Sequence, residues 1–255
     1  MDTSNITAKS SPLTNVWSCG GGVQSAAIAA LICRGRLPKP DISLMVDTGR
    51  EKETTWAYVH GTLIPNLRAV GVELVIVKTS DYATVDLYGK NGDLLLPVFT
   101  ETGKLPTFCS DEWKTRVAHR YLRTLGVTKC RTWIGISADE MRRARVSSLV
   151  WNQNCYPFLE AEFKLYYRRH DCVEEVRRAG WDDAPRSSCW LCPNQSDDEM
   201  IAMTPADRER AAQVEDEIRE RDAGFYLHKS RVPFREVVFN SSDSVPHGCE
   251  GMCFV

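Results

Sequence analysis

The chain has 255 residues, a formal net charge of −2 and 43% hydrophobic residues. That length builds one sizeable α/β domain, or a core with an appendage. The near-neutral balance does not imply a broad polyanion-binding surface but leaves room for local patches, and no apolar run is long enough to span a bilayer.

Residues 1–14 are polar and lack the apolar stretch of a secretory signal, so they read as a flexible leader to a cytoplasmic protein. NVWS is strand-like, and QSAAIAALICRG is a short apolar helix closed by Gly35. DISLMVDT is a second strand, buried on both faces. TTWAYVHGTLIPNLRAVG predicts a helix broken near Pro65. VELVIVK is a third strand. Residues 79–106 form a polar insertion in which Asn91-Gly92 signals a hairpin turn. DEWKTRVAHRYLRTLG is a helix ended by Gly126, and TWIGIS is a fourth strand. Strands alternating with helices predict an α/β fold: an open, mostly parallel sheet with helices on both faces.

An α/β core is expected over residues 15–150. A less regular C-terminal part, 151–255, carries a cysteine pair, a helix and a cysteine tail that pack on that core. TPADRERAAQVEDEIRERDAG is the strongest helix signal, with Thr204 as cap, Pro205 in the first turn and Gly224 at the end. Its charges repeat all round, which reads as a solvated helix.

The stretch WSCGGGVQSAAIAAL places three glycines between the first strand and the first helix. The first amides of a helix have no partner within it, the helix dipole adds positive charge there, and glycine lets a phosphate approach closely. The turn from Ser18 to Ser25, with Gly20, Gly21, Gly22 and Gln24, is therefore a candidate phosphate site; the alternative is a tight turn with no ligand. It lacks the Lys-Ser/Thr ending of the Walker loop and the glycine spacing of the dinucleotide fingerprint.

The turn resembles that of the adenine nucleotide α-hydrolase-like superfamily. ATP pyrophosphatases there carry Ser-Gly-Gly-x-Asp-Ser, and Gly21-Gly22-Val23-Gln24-Ser25 differs at Gln24. Gln at this place resembles the phosphoadenylyl-sulfate reductase branch. Asp47-Thr48-Gly49, followed by Glu51 and Thr54 or Thr55, is similar to the family's segment after the second strand. Ile134 to Glu140, with Arg142 and Arg143, resembles its Gly-Ile-x-x-Asp-Glu-x-x-Arg segment. Ser188-Cys189-Trp190-Leu191-Cys192-Pro193 is similar to the paired cysteines of iron–sulfur and zinc members. The resemblance runs in family order from about residue 15 to 200. Short proteins of this type resemble members encoded in bacteriophages and beside DNA-modification genes.

The resemblance implies an adenine nucleotide, ATP or an adenylyl sulfate, held by Ser18, the glycine turn, Asp47, Thr48, Gly49, Ser137, Asp139 and Glu140. Arg142 and Arg143 would clamp phosphate or sulfate, since guanidinium matches those oxyanions. Asp47 would accept from a ribose hydroxyl or hold Mg²⁺; alternatively it caps the next helix. For any one of Arg142, Arg143 and Arg145, a solvated helix face is the competing reading.

Ten cysteines are many for a chain with no sign of secretion, and suggest metal binding or thiol chemistry. Cys33, Cys130 and Cys172 read as small buried hydrophobes. Cys189-x-x-Cys192 suits one tetrahedral metal or two corners of a cluster, and no second pair completes a zinc ribbon. The family implies that Cys109, followed by the basic Lys114, joins that pair at a four-iron cluster, with zinc as the rival metal. In the tail GCEGMCFV, Cys253 is expected as fourth ligand and Cys249 or Cys253 as nucleophile. A Cys249–Cys253 disulfide and two inert thiols are the alternatives. Among the histidines, only His247 stands beside these cysteines.

Two chemistries remain open at this stage. A tail cysteine attacks the sulfonate sulfur of an adenylyl sulfate, or ATP adenylates an acceptor that then receives sulfur. The first implies a redox partner. The second implies a sulfur donor and an acceptor that includes nucleic acid. A nucleotide-sequestering protein with a structural metal is the third reading.

Overall fold

β1 (Thr14–Ser18) runs into the glycine turn and then α1 (Val23–Cys33). The computed structural model to which these elements belong describes residues 13–240. β2 (Ile42–Asp47) follows, then α2 (Glu53–Tyr58), α3 (Ile64–Ala69), β3 (Leu74–Lys78) and the single turn α4 (Thr79–Tyr82). The insertion holds a two-stranded antiparallel hairpin, β4 (Phe99–Thr100) and β5 (Gly103–Lys104). A π turn at Asp111–Thr115 leads into α5 (Arg116–Thr124), then β6 (Cys130–Ile134), β7 (Asn152–Cys155) and α6 (Arg169–Arg178). α7 (Asp197–Ile201) and α8 (Pro205–Arg221) close the described chain.

The main sheet has the order β3-β2-β1-β6-β7, with every pair parallel. The strand order reverses between β1 and β6. In open parallel sheets that reversal leaves a crevice beyond the carboxyl ends, and ligands bind there. The α/β fold expected from the alternating elements is the fold found. β7 was not anticipated: Asn-Gln-Asn-Cys is polar and lies past residue 150, yet it extends the same sheet. Its connection from β6 carries a short 3-10 turn at Ala138–Arg143 instead of an α-helix.

Neighbouring residues of β1 and β2 face opposite sides of the sheet, as strand pleating requires. Trp17 and Met45 join α1, Val59, Leu63 and Phe158 in one cluster. Val16, Leu44 and Val46 join Val117 and Leu122 of α5 in another. α1 is apolar all round and accordingly buried over nine of its residues, against the sheet and α6. A third cluster joins the insertion (Leu94 to Leu96, Val98) to Trp190, Leu191, Ala211 and Ile218. Residues 79–106 are thus fastened to the C-terminal part.

Three local expectations change. The helix does not break near Pro65. It widens into a π turn at Val59–Leu63 and continues as α3, with Pro65, which has no amide hydrogen, in the first turn. Asn91-Gly92 makes the expected hairpin turn, with Gly92 at φ +85° and Tyr88 bridged antiparallel to Leu94, and a second hairpin follows at β4–β5. α8 is not solvated all round. Asp207, Ala211, Ala212, Glu215 and Ile218 are buried, and Glu215 accepts from the backbone amides of Leu227 and Phe234 at 2.6 and 2.5 Å. Of the three cysteines expected to be buried, Cys130 and Cys172 are, while Cys33 is partly exposed.

Candidate functional site

The glycine turn is shaped by what packs behind it. Gly21 has φ +72°, and a Cβ there would lie 2.8 Å from Thr55 Cγ2 of α2 and 3.2 Å from Met45 Cε. A Cβ at Gly22 would lie 2.6 Å from Ser187 Oγ. Two of the glycines therefore let β2, α2 and the segment before the cysteine pair close on the turn. Gly20 donates its N–H to Ser25 Oγ at 2.8 Å, which fixes the loop from within. Gly22 is the N-cap of α1 and supplies no side-chain cap, so the first amides of that helix face outward.

Those amides open into a cavity of about 710 Å³. Ser18, Gly20, Gly22, Gln24 and Ser25 line it from the turn, and Asp139, Glu140, Arg142 and Arg143 from the crossover after β6. Cys109, Cys189 and Cys192 line the same cavity. The segments expected to supply phosphate, arginine and sulfur contacts therefore share one space.

The turn and the arginine segment are joined by hydrogen bonds. Gln24 Nε2 donates to Glu140 Oε2 at 2.8 Å, and Arg143 Nη1 lies 2.7 Å from Glu140 Oε1. Gln24 Nε2 also lies 3.4 Å from Ser137 Oγ, and Ser137 is fully buried. Asp139 accepts from the Arg169 backbone N–H at 3.1 Å. Glu140 and Asp139 thus position the crossover and the start of α6.

Four of the anticipated nucleotide contacts and one glycine do not line the cavity. Asp47 accepts from the Gly49 N–H at 2.7 Å and so closes a turn; the N-cap of α2 is Lys52, not Asp47. Thr48 is buried, 3.3 Å from Glu51 Oε1 and 3.9 Å from Cys189 Sγ. Gly49 has φ +70° in that turn. Ser137 lies beneath Gln24, and Gly21 faces α2. The Asp-Thr-Gly segment thus supports the cysteine turn: Glu51 bridges Cys189, and Trp190 donates its N–H to Arg50 O at 2.9 Å.

Arg145, Arg169, Arg186 and Lys114 line the cavity with Arg142 and Arg143, so six basic residues and the acidic pair Asp139 and Glu140 share its lining. Lys114 is paired with Glu51 at 2.9 Å and Arg186 with Glu199 at 2.9 Å. Arg169 and Arg186 were not anticipated from the sequence. The available signals were the basic run before α6 and the Arg-Ser-Ser run directly before Cys189.

Cys192 N–H donates to Cys189 O at 3.0 Å, so the pair sits on one tight turn. Burial pushes the Cys189 thiol up to about 11; the Glu51 carboxylate adds to this, and Lys114 opposes it. Thiolates around one zinc sit about 4 Å apart, given Zn–S bonds of about 2.3 Å. Among the described residues, the group whose ligand atoms all lie within 4.8 Å of one another is Cys155, Glu160 and Glu162, in which Arg131 already pairs with both carboxylates. Cys109, Cys189 and Cys192 do not form such a group. A cubane cluster spaces its thiolates more widely because each binds a different iron. The three thiols line one cavity, and Glu51 Oε2 and Ser188 Oγ are buried without hydrogen-bond partners among the described residues. Cys249, Cys253 and His247 lie outside the described residues.

No protein-family model matches the chain, and no curated protein matches it. Among solved structures it is similar to phosphoadenylyl-sulfate (PAPS) reductase from Candida auris in a phosphate complex. That likeness has a TM-score of 0.46 at 13% identity and covers 71% of this chain and 83% of the other. It is also similar to the U34-tRNA thiolase NcsA from Methanococcus maripaludis with its [4Fe-4S] cluster, at a TM-score of 0.41 and 12% identity, over 83% of this chain and 67% of the other. Among the described residues, no helix is long and apolar enough to cross a membrane.

Proposed function

We propose that this chain is an adenine-nucleotide-dependent enzyme of sulfur chemistry. The observation that carries the reading is the single cavity lined by the glycine turn, the basic crossover and three cysteines. The amides at the start of α1 and the hydroxyls of Ser18 and Ser25 receive the phosphoryl oxygens of ATP or an adenylyl sulfate. Arg142, Arg143 and Arg169 meet the remaining negative charge. With Gln24 in place of a carboxylate, phosphoryl charge at the turn is met by guanidinium, and Mg²⁺ is an auxiliary.

Cys109, Cys189 and Cys192 would hold a four-iron cluster, with Cys253 of the tail as fourth ligand; the cluster supplies sulfur binding or electrons. Lys114 and Glu51 hold the Cys109 and Cys189 segments together while substrate binds. Cys249 is the nucleophile in this reading. Cluster and thiol chemistry suit a reducing cytoplasm. The partners are a reductant or sulfur donor and, for the transfer chemistry, an acceptor such as a nucleic acid.

Anaerobic purification followed by absorbance, metal and sulfide analysis tests the cluster, with about four irons per chain expected. Release of pyrophosphate from ATP marks adenylation, and release of sulfite from an adenylyl sulfate marks reduction. Nucleotide binding with neither product supports sequestration. A calorimetric blank with ATP, AMP and adenylyl sulfates defeats the reading.

A further inference from the structure

A second cavity, of about 680 Å³, lies beside the first and has no part in the chemistry above. Ser18, Ile134 and Arg145 line both, so the two spaces meet at the ends of β1 and β6. The strands contribute the buried apolar residues Val16 and Leu44, and α5 contributes Ala118 and Leu122. Thr132, Asn152 and Asn154 supply hydroxyl and amide groups. Asn152 Oδ1 accepts from Thr132 Oγ1 at 2.7 Å, and its amide nitrogen lies 3.3 Å from His119 Nε2. An amide nitrogen only donates, so Nε2 accepts and the imidazole is neutral. Burial lowers the His119 pKa in the same sense, opposed by Asp111.

The charge around this cavity is positive, against a chain whose net charge is −2. Arg120 Nη1 donates to Tyr82 O at 2.5 Å, and Arg123 Nη1 donates to Val127 O at 3.1 Å. Arg145 Nη1 donates to Arg142 O at 2.5 Å and to Ala144 O at 3.1 Å. Backbone carbonyls orient these three guanidinium groups without cancelling their charge. The carboxylate in the lining, Asp111, is taken by Arg116 at 2.8 Å. Arg145 is also fixed by its backbone: its N–H donates to the Tyr156 hydroxyl at 2.8 Å, and its carbonyl accepts from that hydroxyl at 2.7 Å and from Asn154 Nδ2 at 3.1 Å. Arg123 lies 4.0 Å over the Trp151 ring, and His119 meets that ring edge-on at 5.0 Å. Val146 lines the cavity and is 97% exposed.

We propose that the second cavity receives one unpaired nucleotide of a nucleic-acid strand, with Arg120, Arg123 and Arg145 on the strand's phosphates; this rests on the transfer chemistry proposed above and gives its acceptor a place beside the glycine turn. A base is apolar on its faces and polar at its edges, which matches apolar walls carrying amide and hydroxyl groups. Arginines that keep their charge hold the backbone on either side. A base stacked inside a duplex cannot enter a cavity, so the strand must present it unstacked.

The test titrates anaerobically purified wild type, and a double variant with Arg120→Gln and Arg123→Gln, into a short labelled single strand, as DNA and as RNA. Fluorescence anisotropy is read over a range of salt, with and without saturating ATP. The double variant is expected to lose about tenfold in affinity and to flatten the salt dependence by about two phosphate contacts. Its ATP affinity should match wild type, which shows that the fold is intact. ATP should not displace the strand, and the matching duplex should bind more weakly. Photo-cross-links from the strand to wild type should fall within residues 116–123 and 145–154. The preferred sugar, ribose or deoxyribose, names the kind of strand. Displacement by ATP overturns the inference, because the cavity then holds the nucleotide's own base. So do equal affinities of the two chains, equal binding of the duplex, or cross-links confined to other segments. Wild type that binds ATP but no strand defeats this inference alone, and wild type that binds neither defeats the nucleotide reading with it.

Discussion

The Lys114 ammonium lies 2.9 Å from the Glu51 carboxylate, and both side chains are at least nine-tenths buried. The pair ties the segment that follows Cys109 to the segment that bridges Cys189. Truncating one partner leaves the other charge buried and unmatched. Lys114→Met is expected to cost about 3–5 kcal/mol, and Lys114→Met with Glu51→Gln should recover most of it. Urea denaturation of the metal-free chains checks this. Equal losses in the single and double variants would contradict it.

The glycine turn yields a prediction about packing. Gly21→Ala adds a Cβ 2.8 Å from Thr55 Cγ2, at a backbone conformation that L residues rarely adopt. A loss of about 1–3 kcal/mol is expected. At Gly22 the obstacle is a side chain, Ser187, so Gly22→Ala should be partly rescued by Ser187→Gly. Thermal melts of the four chains read both effects.

Nucleotide affinity should follow the Gln24–Glu140–Arg143 chain of contacts. Arg143→Met removes a charge-assisted contact worth about 1.5–3 kcal/mol, or about ten- to a hundredfold in Kd. Gln24→Asp replaces the donor to Glu140 by a second carboxylate. ATP affinity should fall in chelator, and added Mg²⁺ should restore part of it. Calorimetry with and without Mg²⁺ decides; indifference of either variant counts against the site.

Acid stability has a specific contributor in Asp197. Burial acts to raise its carboxyl, but bonds from Lys229, the Asn240 amide and His228 overcome this and hold it at about 2. A depressed acid contributes stability that is fully present above its unfolded value, near 4, and is lost as pH falls through about 2. Asp197→Asn should therefore cost about 2 kcal/mol at neutral pH and flatten the stability curve between about pH 4 and 2. Denaturation at stepped pH measures it; a wild-type slope retained in the variant refutes the assignment.

Much of this was legible along the chain. The glycine turn, the crossover arginines and the cysteine pair each stand out locally because their chemistry depends on residues close in sequence. Gly35 and Gly126 end their helices where expected, at φ +70° and +75°. What failed were inferences that depended on distant neighbours. Polar Asn152–Cys155 became a strand because β6 offered it an edge. Buried carboxylates on α8 became sound because Leu227 and Phe234 bring amides to Glu215.

By itself the sequence determined the alternation of strands and helices, the place of the glycine turn and the position of the cysteine pair, since periodicity, helix-end chemistry and spacing are local properties. Only the tertiary structure decided that Asp47-Thr48-Gly49 lies outside the cavity and braces Cys189, that Arg169 and Arg186 line the same cavity as the glycine turn, and that Gly21 and Gly22 are small to admit Thr55 and Ser187. The reason is that a cavity belongs to the segments that meet around it, and which segments meet is fixed by the order of the strands and the packing between them.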